Sequence, residues 1–123
     1  MRKIKFRGQS LYTTHDWQFG SLLVIGEKKY IIPDTDRIQL IEYQVIHDTV
    51  CQFTGLTDKN GVEIYEGDIV KPNIKYITRN CQVVFDSLCF KLATKEWTNW
   101  FSEYVWLDLE VIGNVYEHSE LLQ

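Results

Sequence analysis

Phe53-Thr-Gly-Leu-Thr-Asp-Lys-Asn-Gly-Val-Glu-Ile-Tyr-Glu-Gly-Asp-Ile-Val70 sets three glycines and an Asp-Lys-Asn-Gly turn between short apolar runs. Asn60 and Gly61 tolerate positive φ, which predicts a tight hairpin loop at Asp58–Gly61. Ile64-Tyr65 and Ile69-Val70 flank Glu66-Gly67-Asp68, a second tight turn. Pro72 then ends that strand or confines it to an edge.

The same punctuation extends in both directions. Val50–Phe53, Ile38–Ile46 and Tyr30–Ile32 read as strands, with Pro33 ending the last. Gly26-Glu-Lys-Lys29 reads as the turn before Tyr30, and Trp17–Ile25 as a strand bulged at Gly20. Met1–Arg7 alternates: Ile4 and Phe6 point one way, Lys3, Lys5 and Arg7 the other, until Gly8-Gln-Ser breaks the pattern. Toward the C-terminus, Cys81–Phe85, Leu88–Ala93 and Val105–Tyr116 (interrupted at Gly113-Asn114) are β-like. The aromatics of Trp97–Leu107 fit helical spacing as well as a strand. Glu117–Gln123 reads as one helical turn or a loose tail. Strands at 8–12-residue spacing, with no long amphipathic helix, repeat or linker, predict a mostly β protein. It forms one domain over residues 1–123, with a lobe boundary that divides it into 1–57 and 58–123.

Composition narrows the function classes. The chain has 123 residues, 45% hydrophobic and 14% aromatic, with a net charge of −4. That size supports one core, and the charge gives no overall pull toward nucleic acid or anionic membrane. Cys51, Cys81 and Cys89 are odd in number and form no CxxC pair, so they read as reduced thiols. The N-terminus lacks an uninterrupted apolar signal region, and no apolar run reaches the ~20 residues of a membrane span. The expected location is the cytoplasm.

Catalytic and metal chemistries fail on spacing. An EF-hand loop containing Asp58-Lys-Asn-Gly61 needs an acid two residues earlier and a Glu six after the glycine; those positions hold Leu56 and Gly67. His15, His47 and His118 are scattered, although His15-Asp16 and His47-Asp48 repeat a dipeptide. Glu63, Glu66 and Asp68, or Asp108 and Glu110, could pair for hydrolysis, but Asp68 fits a turn role bonding local N–H groups. No nucleophile elbow, activated cysteine or P-loop is present. No catalytic residue, metal or cofactor is therefore assigned, and a small hydrolase ranks last.

Two features suit binding. Lys3, Lys5 and Arg7 on one strand face could contact nucleic acid, extended by Lys71, Lys75 and Arg79 if the fold brings them near; the same charges equally protect a sheet edge. Trp97, Trp100 and Phe101 form a partner interface or part of the core.

The wording of Phe53–Val70 resembles the YopX family of phage and prophage proteins, marked by (Tyr/Phe)-Thr-Gly-Leu-x-Asp-Lys-Asn-Gly-x-x-Ile-(Tyr/Phe)-Glu-Gly-Asp-Ile-Val. Arg2-Lys-Ile-Lys-Phe-Arg7, Trp17-Gln-Phe-Gly-Ser-Leu22 and Leu109-Glu-Val-Ile-Gly-Asn-Val-Tyr-Glu117 resemble further family elements. Ser119 replaces the family's usual proline. The resemblance implies an SH3-like barrel in the C-terminal half, a prophage origin and a bacterial cytoplasmic setting, and carries no activity. The expectation is an accessory protein that binds a protein partner or itself as a homo-oligomer. Nucleic-acid binding is the alternative.

Overall fold

The structure is a computed structural model and describes residues 4–14, 16–34, 39–73, 77–101 and 103–122. It is mostly β, with only short helical turns. The chain divides into two compact units, Met1–Phe53 and Thr54–Gln123.

In the first unit, β1 (Phe6–Gln9), β2 (Trp17–Ile25), β3 (Lys28–Ile32) and β4 (Gln44–Val45) are antiparallel neighbours in chain order. β5 (Cys51–Thr57) adds to the other side of β1 through Phe6–Gln52 and Arg7–Cys51. Gly26, at φ +59, opens the two-residue turn between β2 and β3. Gly20 has a different role. A Cβ built there would lie 2.1 Å from the carbonyl oxygen of Ile32, so only glycine lets β2 and β3 approach.

β1 differs from its sequence reading. The strand continues through Gly8 and Gln9 instead of breaking there, and its buried residues are Arg7, Gly8 and Gln9. Ile4 is 72% exposed. Pairing on both edges makes β1 central, and Gly8 packs so closely on Val45 that an added Cβ would sit 3.1 Å from its side chain. The expected strand at Ile38–Ile46 is mostly a 3₁₀ turn over Leu40–Tyr43, closed by Glu42 N–H to Gln39 O and Gln44 N–H to Ile41 O. Ile38 itself lies outside the described residues.

The second unit begins with the later residues of β5, which pair β6 (Glu63–Tyr65). A five-stranded antiparallel sheet follows: β7 (Asp68–Lys71), β8 (Cys81–Asp86), β9 (Cys89–Ala93), β10 (Thr98–Asn99) and β11 (Glu110–Asn114), in the order β10-β9-β8-β7-β11. Helix α1 (Glu103–Leu107) takes the helical alternative left open for Trp97–Leu107 and delays the strand expected from Val105; Asp108 N–H and Leu109 N–H bond back to the Val105 and Trp106 carbonyls. Ile64, Val70, Cys81, Val83, Leu92, Trp106 and Leu109 form the core.

This sheet is open, so the SH3-like barrel implied by the resemblance is not closed. The edges explain why. β10 has only two residues, and the loop after β5 occupies β11: Lys59 N–H donates to Leu109 O and Val111 N–H donates to Asp58. At the start of β11 the Val111 N–H is thus already bonded.

Candidate functional site

Cross-strand alternation in β8 and β9 places Val83 opposite Leu92 and Phe85 opposite Phe90. These pairs share one sheet face. Val83 and Leu92 are in the core. Two residues further on, Phe85 and Phe90 meet edge to face at 5.0 Å, and Phe85 is 45% exposed. The apolar face therefore runs past the core and out to solvent.

Beside it lies a cleft of about 350 Å³ lined by Leu56, Phe90, Trp100, Phe101 and Trp106, among others. Outside the cleft, Thr94 closes the turn before β10: its N–H donates to Trp97 O, and its hydroxyl accepts from the N–H groups of Glu96 and Trp97. Within the cleft, Trp106 is fixed by its indole N–H donating to Phe101 O at 3.2 Å. Trp97 and Phe101 both pack against the core and meet edge to face at 6.0 Å. Trp100 is 65% exposed. Of the three expected contact residues, Trp97 and Phe101 are half-buried supports and Trp100 faces outward.

The polar atoms at the cleft are largely spoken for. The Thr54 hydroxyl donates to Ile64 O and accepts from Leu56 N–H, while Cys89 Sγ lies 3.6 Å from Asp86 O. Among the described residues no charged side chain lines it. Such a surface recognises apolar groups by shape.

The basic strand is arranged differently from an exposed row. Arg7 is 8% exposed, its guanidinium 4.5 Å from the Trp17 ring centroid. Lys5 Nζ is 5.8 Å from the Phe53 ring. Lys3 and Lys75 lie outside the described residues, and Arg79 is ion-paired with Glu96.

The acidic residues of the central stretch have structural partners. Asp58 is buried; Oδ1 accepts the N–H groups of Asn60 (2.8 Å) and Val62 (2.9 Å), and Oδ2 accepts that of Val111 (2.9 Å). Burial alone would raise its pKa, but these three bonds and the Lys59 charge outweigh it and hold the carboxyl below its ordinary value. Asp68 Oδ2 accepts Tyr65 N–H at 2.8 Å, the local turn role expected of it. Glu63 accepts from the Tyr65 hydroxyl at 3.1 Å. His118 Nδ1 accepts Asn114 N–H at 3.2 Å, and Asn114 Oδ1 accepts from Tyr116 and Glu117 N–H. His47 contacts its neighbour Asp48, and His15 lies outside the described residues. Among the described residues no three His, Cys, Asp or Glu side chains gather as a metal site would require.

Sequence reading missed Leu88. It stands at the start of an apolar run, so it reads as the first residue of a strand. Instead, Ser87 and Leu88 are the two turn residues between β8 and β9, at φ +51 and +69, and Leu88 is 91% exposed. The available signal was spacing: Asp86 to Cys89 leaves room for a two-residue turn.

A search of curated proteins finds no match. Among solved structures, protein EF1440 from Enterococcus faecalis is similar over 100% of both chains, with 26% identity and a TM-score of 0.66. A family profile described as YopX protein matches residues 5–123. The chain belongs to the YopX family.

Proposed function

We propose that this protein acts by binding, as a phage- or prophage-encoded accessory protein in a bacterial cytoplasm, without catalysing a reaction. Its contact surface is the Trp100 cleft with the adjoining tip of the β8–β9 hairpin. The observation that carries this reading is Trp100, 65% exposed and lining a largely apolar cleft. A large aromatic beside a pocket is the usual form of an energetic anchor. The phage setting and the cytoplasmic location rest on the family resemblance.

Nucleic-acid binding through Lys3, Lys5 and Arg7 ranks lower. A guanidinium stacked under Trp17 and 8% exposed is poorly placed for a phosphate. The test is affinity capture from phage-infected or prophage-induced cells, with wild-type and Trp100→Ala baits, read for both protein and nucleic acid. A partner retained by the wild type and lost by the variant is expected. Equal recovery on both baits overturns this surface.

A further inference from the structure

The first unit holds a cavity built from two tied turns. The Ser10 hydroxyl accepts the N–H groups of Tyr12 and Thr13, while Ser10 N–H donates to Asp16 O and Asp16 N–H to Thr13 O. These bonds fix the loop between β1 and β2. The 3₁₀ turn Leu40–Tyr43 is closed by the two bonds described above. Gln44 laces the two turns together: its carbonyl accepts Leu11 N–H at 3.0 Å, and its Oε1 accepts the Tyr12 hydroxyl at 3.4 Å. Tyr12, Thr13, Ile41, Glu42 and Tyr43 from these turns, with Gln18 of β2, line a volume of about 480 Å³. Small-ligand sites typically span ~300–1,000 Å³, with apolar and aromatic walls and a few convergent polar groups.

The polar groups decide what such a cavity takes. Among the described residues Glu42 is the only charged one on the lining, and it has no ion-pair partner there. Gln18 Oε1 is enclosed and has no hydrogen-bond partner among the described residues. An acceptor kept from water without a donor is costly. The terminal torsion of a glutamine is soft, so this oxygen can turn toward a donor held in the cavity. The Tyr12 proton is committed to Gln44, which leaves its oxygen to accept. The Thr13 and Tyr43 hydroxyls donate or accept, and so oppose neither sign of ligand. The fixed groups therefore all call for a donor.

A cation bearing N–H groups matches this lining. A carboxylate accepts charge-assisted bonds from guanidinium or ammonium. The faces of two tyrosines attract the same charge. The chain's net charge of −4 draws cations toward it. A neutral ligand forfeits all of these attractions, and an anion is repelled by Glu42. Ile41 and the tyrosine rings cover an apolar body attached to the charged head. The walls are tied turns of one unit, with no open sheet edge among them for an extended chain to join, so the ligand is a free small molecule.

Going beyond the Trp100 surface, we propose that this cavity binds a small organic cation, an aromatic or alkyl body whose guanidinium or ammonium head bonds Glu42 and Gln18. Benzylguanidine titrated into isotope-labelled chain is expected to bind with a Kd of roughly 0.1–1 mM. It should move the amide signals of the six lining residues. Benzylamine should bind within ~5-fold of it, and benzyl alcohol, a similar body without charge, at least ~10-fold more weakly. Glu42→Gln should weaken benzylguanidine about 10-fold and Tyr12→Ala about 3-fold. Both side chains are exposed, so neither change disturbs the core, and unshifted amides away from the cavity verify the fold. Glu27→Gln removes an equal charge at the exposed β2–β3 turn and should leave the Kd unchanged.

Unmoved signals at the lining residues in roughly 5 mM benzylguanidine overturn the site. So does benzyl alcohol binding as tightly, which would make the cavity merely apolar. Equal losses from Glu42→Gln and Glu27→Gln would trace the attraction to net charge and overturn it as well. A capped tripeptide centred on arginine that binds more tightly than benzylguanidine overturns the small-molecule assignment and puts a protein segment in its place. None of these readouts involves Trp100, so this site and the surface proposed above stand or fall separately.

Discussion

Asp58 Oδ2 accepts the backbone N–H of Val111 at 2.9 Å, tying the central loop to a strand 53 residues away. The same carboxylate closes its own turn through Asn60 and Val62. Two sequence elements shared with the YopX family thus meet at one side chain. In Asp58→Asn, an amide replaces one acceptor and sets N–H against N–H. A loss of about 2–4 kcal/mol is expected from these charge-assisted bonds, read as a lower urea midpoint with unchanged slope.

The same group gives a pH signature. Its folded pKa lies below the unfolded value of 3.8. Its contribution is therefore complete above about pH 4 and disappears as pH falls through the lower folded value. The stability gap between wild type and Asp58→Asn should be constant from neutrality to about pH 5 and shrink below about pH 4. A gap that widens on acidification would show that the carboxylate is not the stabilising form.

Glycines at positive φ should separate into two classes. Gly61→Ala meets nothing within 4 Å, so only backbone strain remains, about 1 kcal/mol. Gly20→Ala drives a methyl into the Ile32 carbonyl at 2.1 Å, and β2 must separate from β3. A loss above about 2 kcal/mol is expected. Equal denaturation midpoints for the two variants would contradict the close approach at Gly20.

Turn chemistry made much of this fold legible. Asp58, Asn60, Gly61 and Gly67 announce hairpins because few residues tolerate those conformations, and the β2 boundaries, Trp17 and Ile25, follow from apolar runs between such signals. What stayed hidden depends on long-range partners. Arg7 looks like a solvent-facing cation until Trp17 is placed over it. Val105 and Trp106 fit strand and helical patterns alike, and they enter a helical turn that carries Trp106 into the core. At the candidate site, sequence singled out Trp100 only as part of an aromatic excess and could not separate it from Trp97, whose place depends on contacts with the core. Leu88 escaped because its hydrophobicity masks a turn position.

Thiol accessibility offers an independent check on the packing. Cys51 and Cys81 are buried and Cys89 is partly exposed, all without disulfides. Burial pushes the Cys81 thiol up to about 11, against a smaller opposing effect of the Arg79 charge. Since the thiolate is the reactive form, native protein near pH 8 should react with an aromatic disulfide reagent at Cys89 first, and Cys81 only on unfolding. Mass mapping of labelled peptides reads the order, and early modification at Cys81 would contradict its placement in the core.

Alanine at the two neighbouring tryptophans separates support from contact. Trp97 packs on the core and against Phe101, so Trp97→Ala should cost about 3 kcal/mol in unfolding free energy. Trp100 is largely solvent-exposed, and Trp100→Ala should change monomer stability by no more than about 0.5 kcal/mol. Chemical denaturation at high dilution measures both without interference from association. Comparable losses at the two positions would make Trp100 a packing residue, whereas a stable Trp100→Ala monomer with lost association would make it an anchor. The contrast follows from physical position: Trp97 fills space inside the second unit, while Trp100 offers its ring outward.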